Sequence, residues 1–474
     1  MDKVCMVVLN SVTYDTRVLK EATSLSNNGY NVTIVGVRDD ADQTPFTRLN
    51  DKFRIVRVPY YPLIFAKSNL LWVMIALIVT VFLILPFGLL NASAEFFLNI
   101  VAYTILVIAI LNLTLLRFSK KISEFKEKYY NRKKIKTILL LNLLDILQKP
   151  NMFIRVIQGM VSNLFVILAL TRQVLKEKPK ILHCHDVESL PVSFFVKKIK
   201  GCKVIYDAHE VYEELAGGDR ISRLKFRLIH KLFLRYVDEF ITINESIKNW
   251  YKINYPKLCP ANVIMNAAEK KKIAPYDGRL HECVNLPKDT KIILYQGGYA
   301  RHRGLKYLIR SASYLPSDWA LVLMGSGAYG AEIRELNGKL GNKNVYFAPK
   351  APQNELLDWT SGATLGVIPY RNVSLNHYYC TPNKIWEYSI ASVPIIANKL
   401  FEIKNIISKY NNGWLLDMEN SYTELSEFII NLNDKKYNSI RKGCSNFIAS
   451  NNWEIYEQKL LSIYAKFYQK DVKK

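Results

Sequence analysis

The chain has 474 residues, 50% of them hydrophobic and 22% charged, which suits two domains of ordinary size with packed cores. Its formal net charge of +24 favours an anionic partner: nucleic acid, a phosphate-rich substrate or an acidic membrane surface. The sequence has no zinc-finger spacing and no aromatic ribonucleoprotein motif, which excludes the common nucleic-acid modules. A lysine-rich, solvated surface remains the alternative explanation for part of the charge.

The cysteines do not form a recognisable framework. They are odd in number, scattered and without metal-ligand spacing, which indicates reduced thiols in a cytosolic setting. The seven are Cys5, Cys184, Cys202, Cys259, Cys283, Cys380 and Cys444. The opening run "KVCMVVLN" is typical of a first β-strand, so we expect no signal peptide there.

The first predicted elements are a strand, a helix and a second strand. "VCMVVLN" is the first strand, and Asp15 is a suitable N-cap for the helix "TRVLKEATSLSNNG" that follows. Gly29 suits the left-handed position just past the end of that helix. "NVTIVGV" then predicts the second strand, as in a sheet covered by helices.

Two apolar runs follow, at residues 70–90 and 96–116, each about the 20 residues that a membrane-spanning helix needs. Their connector "NASAE" has no Lys or Arg, whereas basic residues flank both outer ends. By the positive-inside rule these ends are cytoplasmic, which predicts a transmembrane hairpin. Pro86 and Gly88 leave open a re-entrant hairpin, and two buried core helices are a further alternative. The segment at residues 136–161 fits either a helix lying against lipid headgroups or an ordinary packing helix.

The rest of the chain alternates short β-branched runs with helical stretches, a pattern typical of parallel sheets covered by helices. "KILHCHD", "CKVIYDAHE" and "EFITINES" complete a first domain, and a Glu-rich helix is expected just after His209. The polar stretch from Glu269 to Lys288 is interpreted as a linker. A second series begins at "KIILYQGG" and continues through "WALVLMGSG", "NVYFAPKAP", "ATLGVIPY" and "SVPIIANK". Two such domains would face a cleft lined by His209, because ligands bind beyond the carboxyl ends of parallel strands.

Glycines and arginines follow two strands of the second domain. Gly297 and Gly298 precede Arg301 and Arg303, and glycine lets the backbone approach a diphosphate to which arginines can donate. "MGSG", with Gly325, is a second loop of this kind. Either loop taken alone is equally compatible with a plain turn.

The most specific stretch is "NHYYCTPNKIWEYSIASVPIIAN", at residues 376–398. It places Asn383 and Lys384 in the first turn of a helix, whose N-terminus favours a diphosphate. Glu387, about one turn further on, could accept hydrogen bonds from a ribose diol. The alternative is a capped surface helix with an ordinary Glu–Lys pair.

With these motifs in place, the chain resembles a glycosyltransferase of family 4, whose GT-B fold has two Rossmann-like domains. The matching pieces are "DTRVLKEATSLSNNGYNVTIVG", "HCHD", "IYDAHE", "YQGGYARHRGLKYLI", "MGSG", "VIPY", "PNKIWEYSIASVPIIA" and the closing "NNWEIYEQKLLSIY". The fold class expected is therefore α/β GT-B with an inserted hairpin. The boundaries are 1–61 with 150–280 for the acceptor-side domain, 62–149 for the insertion, 285–450 for the nucleotide-sugar domain and 451–474 for a helix crossing back.

The resemblance implies roles for individual residues. Glu387 would bind the donor ribose. Arg303 and Arg301 would bind the diphosphate, and Lys384 is a further candidate for this role. His209 would face the donor sugar and the acceptor hydroxyl. The donor side would also include Gly297, Gly298, Gly325 and Asn383, and the acceptor side Asp15 and Arg17. The family often carries a Glu eight positions before the helix Glu, but this chain has Tyr379 there, which puts sugar recognition in doubt.

Two mechanisms stay open. In a retaining transfer, which the resemblance favours, the departing diphosphate takes the acceptor's proton and His209 positions the sugar. In an inverting transfer, His209 or Glu210 would serve as the base. No cofactor is expected besides the nucleotide diphosphate sugar as donor substrate. No metal is expected either, because no further ligands join His183 and His185.

The function expected is that of a glycosyltransferase on the cytoplasmic side of the cell membrane. Its acceptor would be lipid-linked or a saccharide, in surface polysaccharide or glycolipid synthesis, and nucleic acid is not expected as a partner. One alternative is a non-catalytic scaffold partnering another transferase, which would bind nucleotide without releasing diphosphate. Another is a nucleotide-sugar epimerase, which would convert its donor without acceptor.

Overall fold

The computed structural model describes residues 2–13, 15–38, 43–59 and 150–469, with side chains described from residue 162 in the long helix after residue 149. The two apolar runs, their connector and the basic residues after them lie outside the described residues. Among the helices that are described, none combines the length and the apolar character needed to cross a bilayer.

The first sheet has eight strands in the order β3-β4-β2-β1-β5-β6-β7-β8. β1 pairs in parallel with β2 and β5, and the series continues in parallel to β8, whereas β3 and β4 are antiparallel. The strands are β1 (Lys3–Val7), β2 (Asn31–Val37), β3 (Phe46–Arg48), β4 (Phe53–Val58), β5 (Ile181–His185), β6 (Lys203–Ala208), β7 (Glu239–Thr242) and β8 (Ala261–Val263).

The helices associated with this sheet begin where the sequence supplies caps. Asp15 accepts a hydrogen bond from the Val18 N–H at 3.2 Å and so starts the first helix, as predicted. Gly29 has φ of +93°, which confirms its left-handed conformation. The helices are α1 (Thr16–Asn27), α2 (Pro150–Glu177), α3 (Leu190–Lys200), α4 (Arg220–Phe233) and α5 (Glu245–Asn254).

The second sheet is parallel throughout and has the order β11-β10-β9-β12-β13-β14. The chain order reverses at β9, which is where ligands bind in sheets of this kind. The strands are β9 (Lys291–Gln296), β10 (Trp319–Met324), β11 (Val345–Ala348), β12 (Leu365–Ile368), β13 (Ile395–Ala397) and β14 (Gly413–Leu415). Its helices are α6 (Arg279–Cys283), α7 (Leu305–Ala312), α8 (Gly330–Leu340), α9 (Leu356–Thr360), α10 (Leu375–Tyr378), α11 (Lys384–Ile390), α12 (Phe401–Tyr410), α13 (Glu424–Ile430) and α14 (Asp434–Ser450).

The last helix, α15 (Trp453–Gln469), returns to the first sheet and packs against α1. The Trp453 indole N–H donates to Ser24 Oγ at 3.0 Å, and the Tyr464 hydroxyl lies 2.9 Å from His183 Nδ1. These contacts tie the end of the chain to its beginning.

The chain divides into two compact units. One comprises Met1–Gly36, Phe46–Val56 and Val174–Lys474, and the other comprises Val37–Pro45 and Arg57–Gln173. The first unit contains the second sheet and the first sheet apart from the last residues of β2 and β4. The site described below lies wholly within it.

Three local predictions need correction. The Glu-rich stretch after His209 forms only a short 3-10 turn, Tyr212–Glu214, and a full helix starts at Arg220. The reason is that Gly217 and Gly218 interrupt the chain, and Asp219 caps the later helix by accepting from the Ser222 N–H at 2.7 Å. The stretch interpreted as a linker contains α6, and the sequence did not predict β3, β4 or β14.

Candidate active site

A cavity of about 430 Å³ lies at the carboxyl ends of strands from both sheets. Residues after β6, β7 and β9 line it, together with the start of α11. It contains seven of the residues proposed from the sequence: His209, Glu210, Gly297, Arg303, Asn383, Lys384 and Glu387. The doubly wound topology brings them together because their strands end on one side of each sheet.

A neighbouring cavity of about 450 Å³ contains the two residues proposed for the acceptor side, Asp15 and Arg17. It shares His209, Asn266 and Asn383 with the first cavity. The two cavities therefore meet at His209. This arrangement provides room for two substrates with His209 between them.

Three predicted residues do not line either cavity. Arg301 has a side chain that is 79% exposed, and it forms an ion pair with Glu332 at 2.9 Å. Its place in the 3-10 turn before Gly304 directs it away from Arg303, two residues on. Gly298 and Gly325 are also absent from the cavity linings.

Gly325 has a packing role instead. Its φ is +152°, and a Cβ at this position would lie 2.0 Å from the carbonyl oxygen of Gly297. Glycine is required so that the loop after β10 can pass the loop after β9. Gly297 has φ of +124°, and a Cβ there would lie 2.8 Å from Lys384 Nζ. Gly297 thus leaves space for the lysine that enters the cavity.

Two cations face the cavity without a carboxylate partner. Lys384 is buried, its Nζ donates to the Tyr370 hydroxyl at 2.9 Å, and burial lowers its pKa. The Arg303 guanidinium lies 4.0 Å from the centre of the Tyr370 ring. Within the described ranges, no Asp or Glu comes within 4.0 Å of either cation, so Lys384 and Glu387 do not form the ordinary helix pair. The arrangement is suited to an anion.

Glu387 is oriented by a short chain of hydrogen bonds. Gln296 Nε2 donates to Glu387 Oε2 at 2.6 Å, and the Thr360 hydroxyl donates to Gln296 Oε1 at 2.8 Å. Because an ionised carboxylate only accepts hydrogen bonds, Glu387 itself determines that the NH₂ end of the Gln296 amide faces it. The other oxygen, Oε1, receives no donor from the described residues, so it can accept from a ligand hydroxyl.

His209 lies between two carboxylates. Its Nε2 is 3.2 Å from Asp207 Oδ2 and its Nδ1 is 3.1 Å from Asp186 Oδ1. Burial alone would lower the pKa of His209, but Asp186 and Asp207 raise it well above the ordinary value of 6.5. The ring is therefore an imidazolium with both nitrogens engaged, which does not fit the role of a base.

Asp207 is held in turn by Arg17. The Arg17 Nε and a terminal nitrogen donate to the two Asp207 oxygens at 2.7 and 3.1 Å. Although burial opposes it, Arg17 and His209 keep the pKa of Asp207 well below its ordinary value. Arg17 also donates to Asn266 Oδ1 at 2.7 Å. Arg17 thus fixes the carboxylate that fixes His209, a role that sequence reasoning did not assign.

The expectation that no further ligands join His183 and His185 is wrong. Glu21 and Asp207 bring ligand atoms within 4.8 Å of theirs, in a fully buried cluster. The Arg17 Nε, however, lies 3.1 Å from Glu21 Oε1 and 2.7 Å from Asp207 Oδ2. A guanidinium already supplies the positive charge between these carboxylates, so the cluster does not fit a metal ion.

Glu210 differs from its neighbour. Burial and the nearby Asp186 raise its pKa, and His209 and Arg303 only partly offset this. Of the two residues considered as bases, Glu210 is the one whose side chain is not held in an ion pair by the described residues.

Sequence reasoning missed several lining residues. Cys380 and Thr381 line the cavity just before α11, and the Thr381 hydroxyl is buried without a hydrogen-bond partner among the described residues. Tyr379, which occupies the place of the family's first Glu, does not line the cavity; its carbonyl accepts from Asn244 Nδ2 at 2.7 Å. The sequence could have indicated Thr381, because this residue lies in "CTPNK", directly before the predicted helix.

Part of the second domain matches a known protein family. Residues 290–435 match the family model described as glycosyl transferases group 1. The D-inositol 3-phosphate glycosyltransferase of Xylanimonas cellulosilytica is 26% identical over 144 residues, which are 29% of this chain and 33% of that protein. The match thus spans about a third of the length of this curated relative.

Solved structures match along nearly the whole chain. Sucrose-phosphate synthase from Thermosynechococcus elongatus gives a TM-score of 0.66 at 14% identity, covering 99% of this chain and 100% of that one. Anabaena HepE in complex with UDP-glucose gives 0.62 at 11% identity, covering 98% and 100%. At these identities the likeness shows the fold, which is α/β and GT-B-like. Together, the matched domain at residues 290–435 and this fold support a glycosyltransferase.

Proposed function

We propose that this protein transfers a sugar from a nucleotide diphosphate sugar to an acceptor bound on the other side of His209. The observation that carries the proposal is the pair Arg303 and Lys384, two cations that face one cavity and have no carboxylate partner among the described residues. A diphosphate supplies the anionic oxygens that such a pair binds. Asn383 lies beside Lys384 in the lining of the same cavity.

The donor would extend from this pair in two directions. Glu387 would accept hydrogen bonds from the ribose diol through the oxygen that Gln296 leaves available. The sugar would lie toward His209, where the Thr381 hydroxyl can contact it in place of the Glu that Tyr379 replaces. The solved HepE complex contains UDP-glucose, which makes uridine diphosphate sugars the first donors to test.

The state of His209 favours a retaining transfer. An imidazolium with both nitrogens on carboxylates cannot accept the acceptor's proton. In the reaction proposed, the acceptor oxygen bonds to the anomeric carbon on the face from which the diphosphate leaves, and the proton passes to the departing phosphate oxygen. Arg303 and Lys384 would stabilise the charge that develops there. Inversion would need Glu210 as the base, and the anomeric configuration of the product would distinguish the two.

We also propose the finer features expected from the sequence: membership of family 4, attachment to the cell membrane through residues 70–116, and a lipid-linked acceptor on the cytoplasmic side. These features are supported by two apolar runs of membrane-spanning length, their basic flanks and the net charge of +24. A non-catalytic scaffold remains the second candidate, because Tyr379 stands where the family often carries a Glu.

The test is release of nucleoside diphosphate by the full-length protein in lipid nanodiscs. UDP-, GDP- and other nucleotide sugars would be supplied, with native membrane lipid extract as the acceptor. Glu387→Gln and Arg301→Met serve as the site variant and the exposed control. Extract-dependent release that is lost only in Glu387→Gln would support the transferase. Nucleotide binding without release from any donor would favour the scaffold.

A further inference from the structure

Helix α4 is apolar on two faces. Phe226 and His230 are buried against the domain. On another face four large apolar side chains are exposed at a spacing of i, i+3, i+7 and i+11, which places them in one stripe. They are Ile221, Leu224, Leu228 and Leu232, exposed by 59%, 58%, 49% and 51%. An ordinary surface helix has polar residues on the face opposite its buried one.

The same helix, together with the 3-10 turn that follows it, is strongly basic. Residues 220–235 contain six Lys or Arg residues and no Asp or Glu. Three of the six pair with acidic residues of neighbouring segments: Arg223 with Glu214, Lys225 with Glu188 and Arg227 with Glu213. Arg220, Lys231 and Arg235 have no carboxylate within 4.0 Å in the part of the chain that the structure describes.

The neighbouring helix α3 extends this surface. It packs against α4, and Ile199 near its end is 58% exposed. Lys198 and Lys200 flank Ile199 in the sequence. The end of α3 therefore adds an exposed apolar side chain and two lysines on the helix that packs against α4.

We propose that this α4 surface, formed by the stripe of α4 and the end of α3, binds the headgroup region of an anionic lipid bilayer. A basic helix with an apolar face lies at such an interface with its apolar side chains inserted and its cations on the anionic headgroups. A second copy of the chain is a poorer occupant, since it would bring like charges together. The proposal goes beyond the proposed function and requires neither catalysis nor a membrane-spanning hairpin.

The contacts beneath α4 connect this surface to the active site. Glu213 accepts from Arg227 Nε at 2.9 Å, is 3.1 Å from His230 Nδ1, and accepts from the Tyr255 hydroxyl. Glu213 belongs to the turn that follows His209 and Glu210. A bilayer bound at α4 would therefore be linked through this helix to the segment that carries the cavity residues.

The test uses the full-length protein with a polarity-sensitive dye on Leu228→Cys, in a Cys283→Ser background that removes the exposed native thiol. The matched control carries the dye on Ile430→Cys, an exposed apolar position on α13 of the other domain, with 69% exposure. The Cys283→Ser protein without an added cysteine, treated with the same dye, supplies the blank. Each protein would be reconstituted in nanodiscs of phosphatidylcholine with or without phosphatidylglycerol, including brominated lipid for quenching.

We expect a blue shift and bromine quenching at position 228 but not at position 430, stronger with phosphatidylglycerol. Combining Arg220→Gln, Lys231→Gln and Arg235→Gln should abolish the lipid dependence. Equal spectra at the two positions in anionic nanodiscs would overturn the proposal, as would a shift that ignores lipid charge. Concentration-dependent shielding of position 228 in detergent, without lipid, would assign the surface to a second copy instead.

Discussion

At the end of β6, the buried carboxylate of Asp207 helps hold the neighbouring His209 in its protonated form. Asp207 is paired with Arg17 and His209, and Asp186 takes the other nitrogen of the His209 ring. The Tyr212 hydroxyl also donates to Asp186, and together with His209 this bond keeps the pKa of Asp186 below its ordinary value. His209 is thus a fixed positive charge at the junction of the two cavities. In a transfer reaction, His209 can position the sugar and supply a positive charge.

The first prediction concerns how stability depends on pH. Because the folded pKa of His209 is above 6.5, its contribution is complete below about 6.5 and is lost as pH rises through the raised pKa. Asp186 and Asp207 have lowered pKa values, so their contributions persist above about 3.8 and fade only in stronger acid. We expect His209→Asn to cost roughly 1.5–3 kcal/mol near pH 6 and clearly less near pH 9, measured by denaturant unfolding.

His302→Asn provides a control of opposite sign. Burial lowers the pKa of His302 to about 4, so its neutral form is preferred in the folded protein. Removing it should therefore cost less at pH 6 than at pH 9. A His209→Asn penalty that is constant across this range would show that the ring is not held as an imidazolium.

The second prediction separates two arginines that the sequence placed together. Arg303→Met should weaken binding of UDP about ten- to a hundredfold, because a charge-assisted contact to the diphosphate is lost. Arg301→Met should leave the affinity unchanged, since Arg301 pairs with Glu332 outside the cavity. Isothermal titration calorimetry of UDP with both variants and with wild type measures these affinities. Equal losses of affinity in the two variants would show that Arg301 also contacts the ligand.

At the scale of elements, the sequence predicted what local rules decide. Asp15, Gly29 and the apolar runs of β2 and β9 each follow from capping, backbone freedom or burial, and all were found as expected. The start of α11 near Asn383 was predicted correctly, but the contributions of Thr381 and Gln296 beside it were not. Thr381 and Gln296 acquire their importance only from neighbours distant in sequence. Apart from Glu21, the partners of Arg17 are separated from it by 190 residues or more, beyond any local pattern.

The third prediction follows from the two glycine loops. Gly325→Ala would force a Cβ against the Gly297 carbonyl in a left-handed backbone, at a cost on the order of 2 kcal/mol or more. Gly298→Ala should be tolerated, because no atom of the described residues lies within 4 Å of its added Cβ and no unusual φ is required. Thermal unfolding of the two variants distinguishes them. A Gly325→Ala protein as stable as wild type but unable to bind nucleotide would instead restore the ligand role expected from the sequence.

At the scale of the molecule, hydrogen bonds join the first domain to the second beside the cavity. The Val211 N–H donates to Asn376 Oδ1 at 2.8 Å, and Asn244 Nδ2 donates to the Tyr379 carbonyl at 2.7 Å. Tyr379 therefore contributes its backbone to this junction while its side chain stays out of the cavity. Helix α15 makes a further connection, from the end of the second domain to α1. The sequence could indicate such a helix by resemblance but not the residues that it would contact.

The last prediction tests that connection. Leu460 on α15 is fully buried, and Leu460→Ala should cost about 2–5 kcal/mol through the cavity it leaves. Ile455→Ala, on the same helix at a position 38% exposed, should cost less than about 1 kcal/mol. If α15 joins the domains, Leu460→Ala should also increase hydrogen exchange in both α1 and α15, whereas Ile455→Ala should not. Faster exchange confined to α15 would mean that α1 keeps its structure without the helix, and that the junction is held by the Asn376 and Asn244 contacts instead.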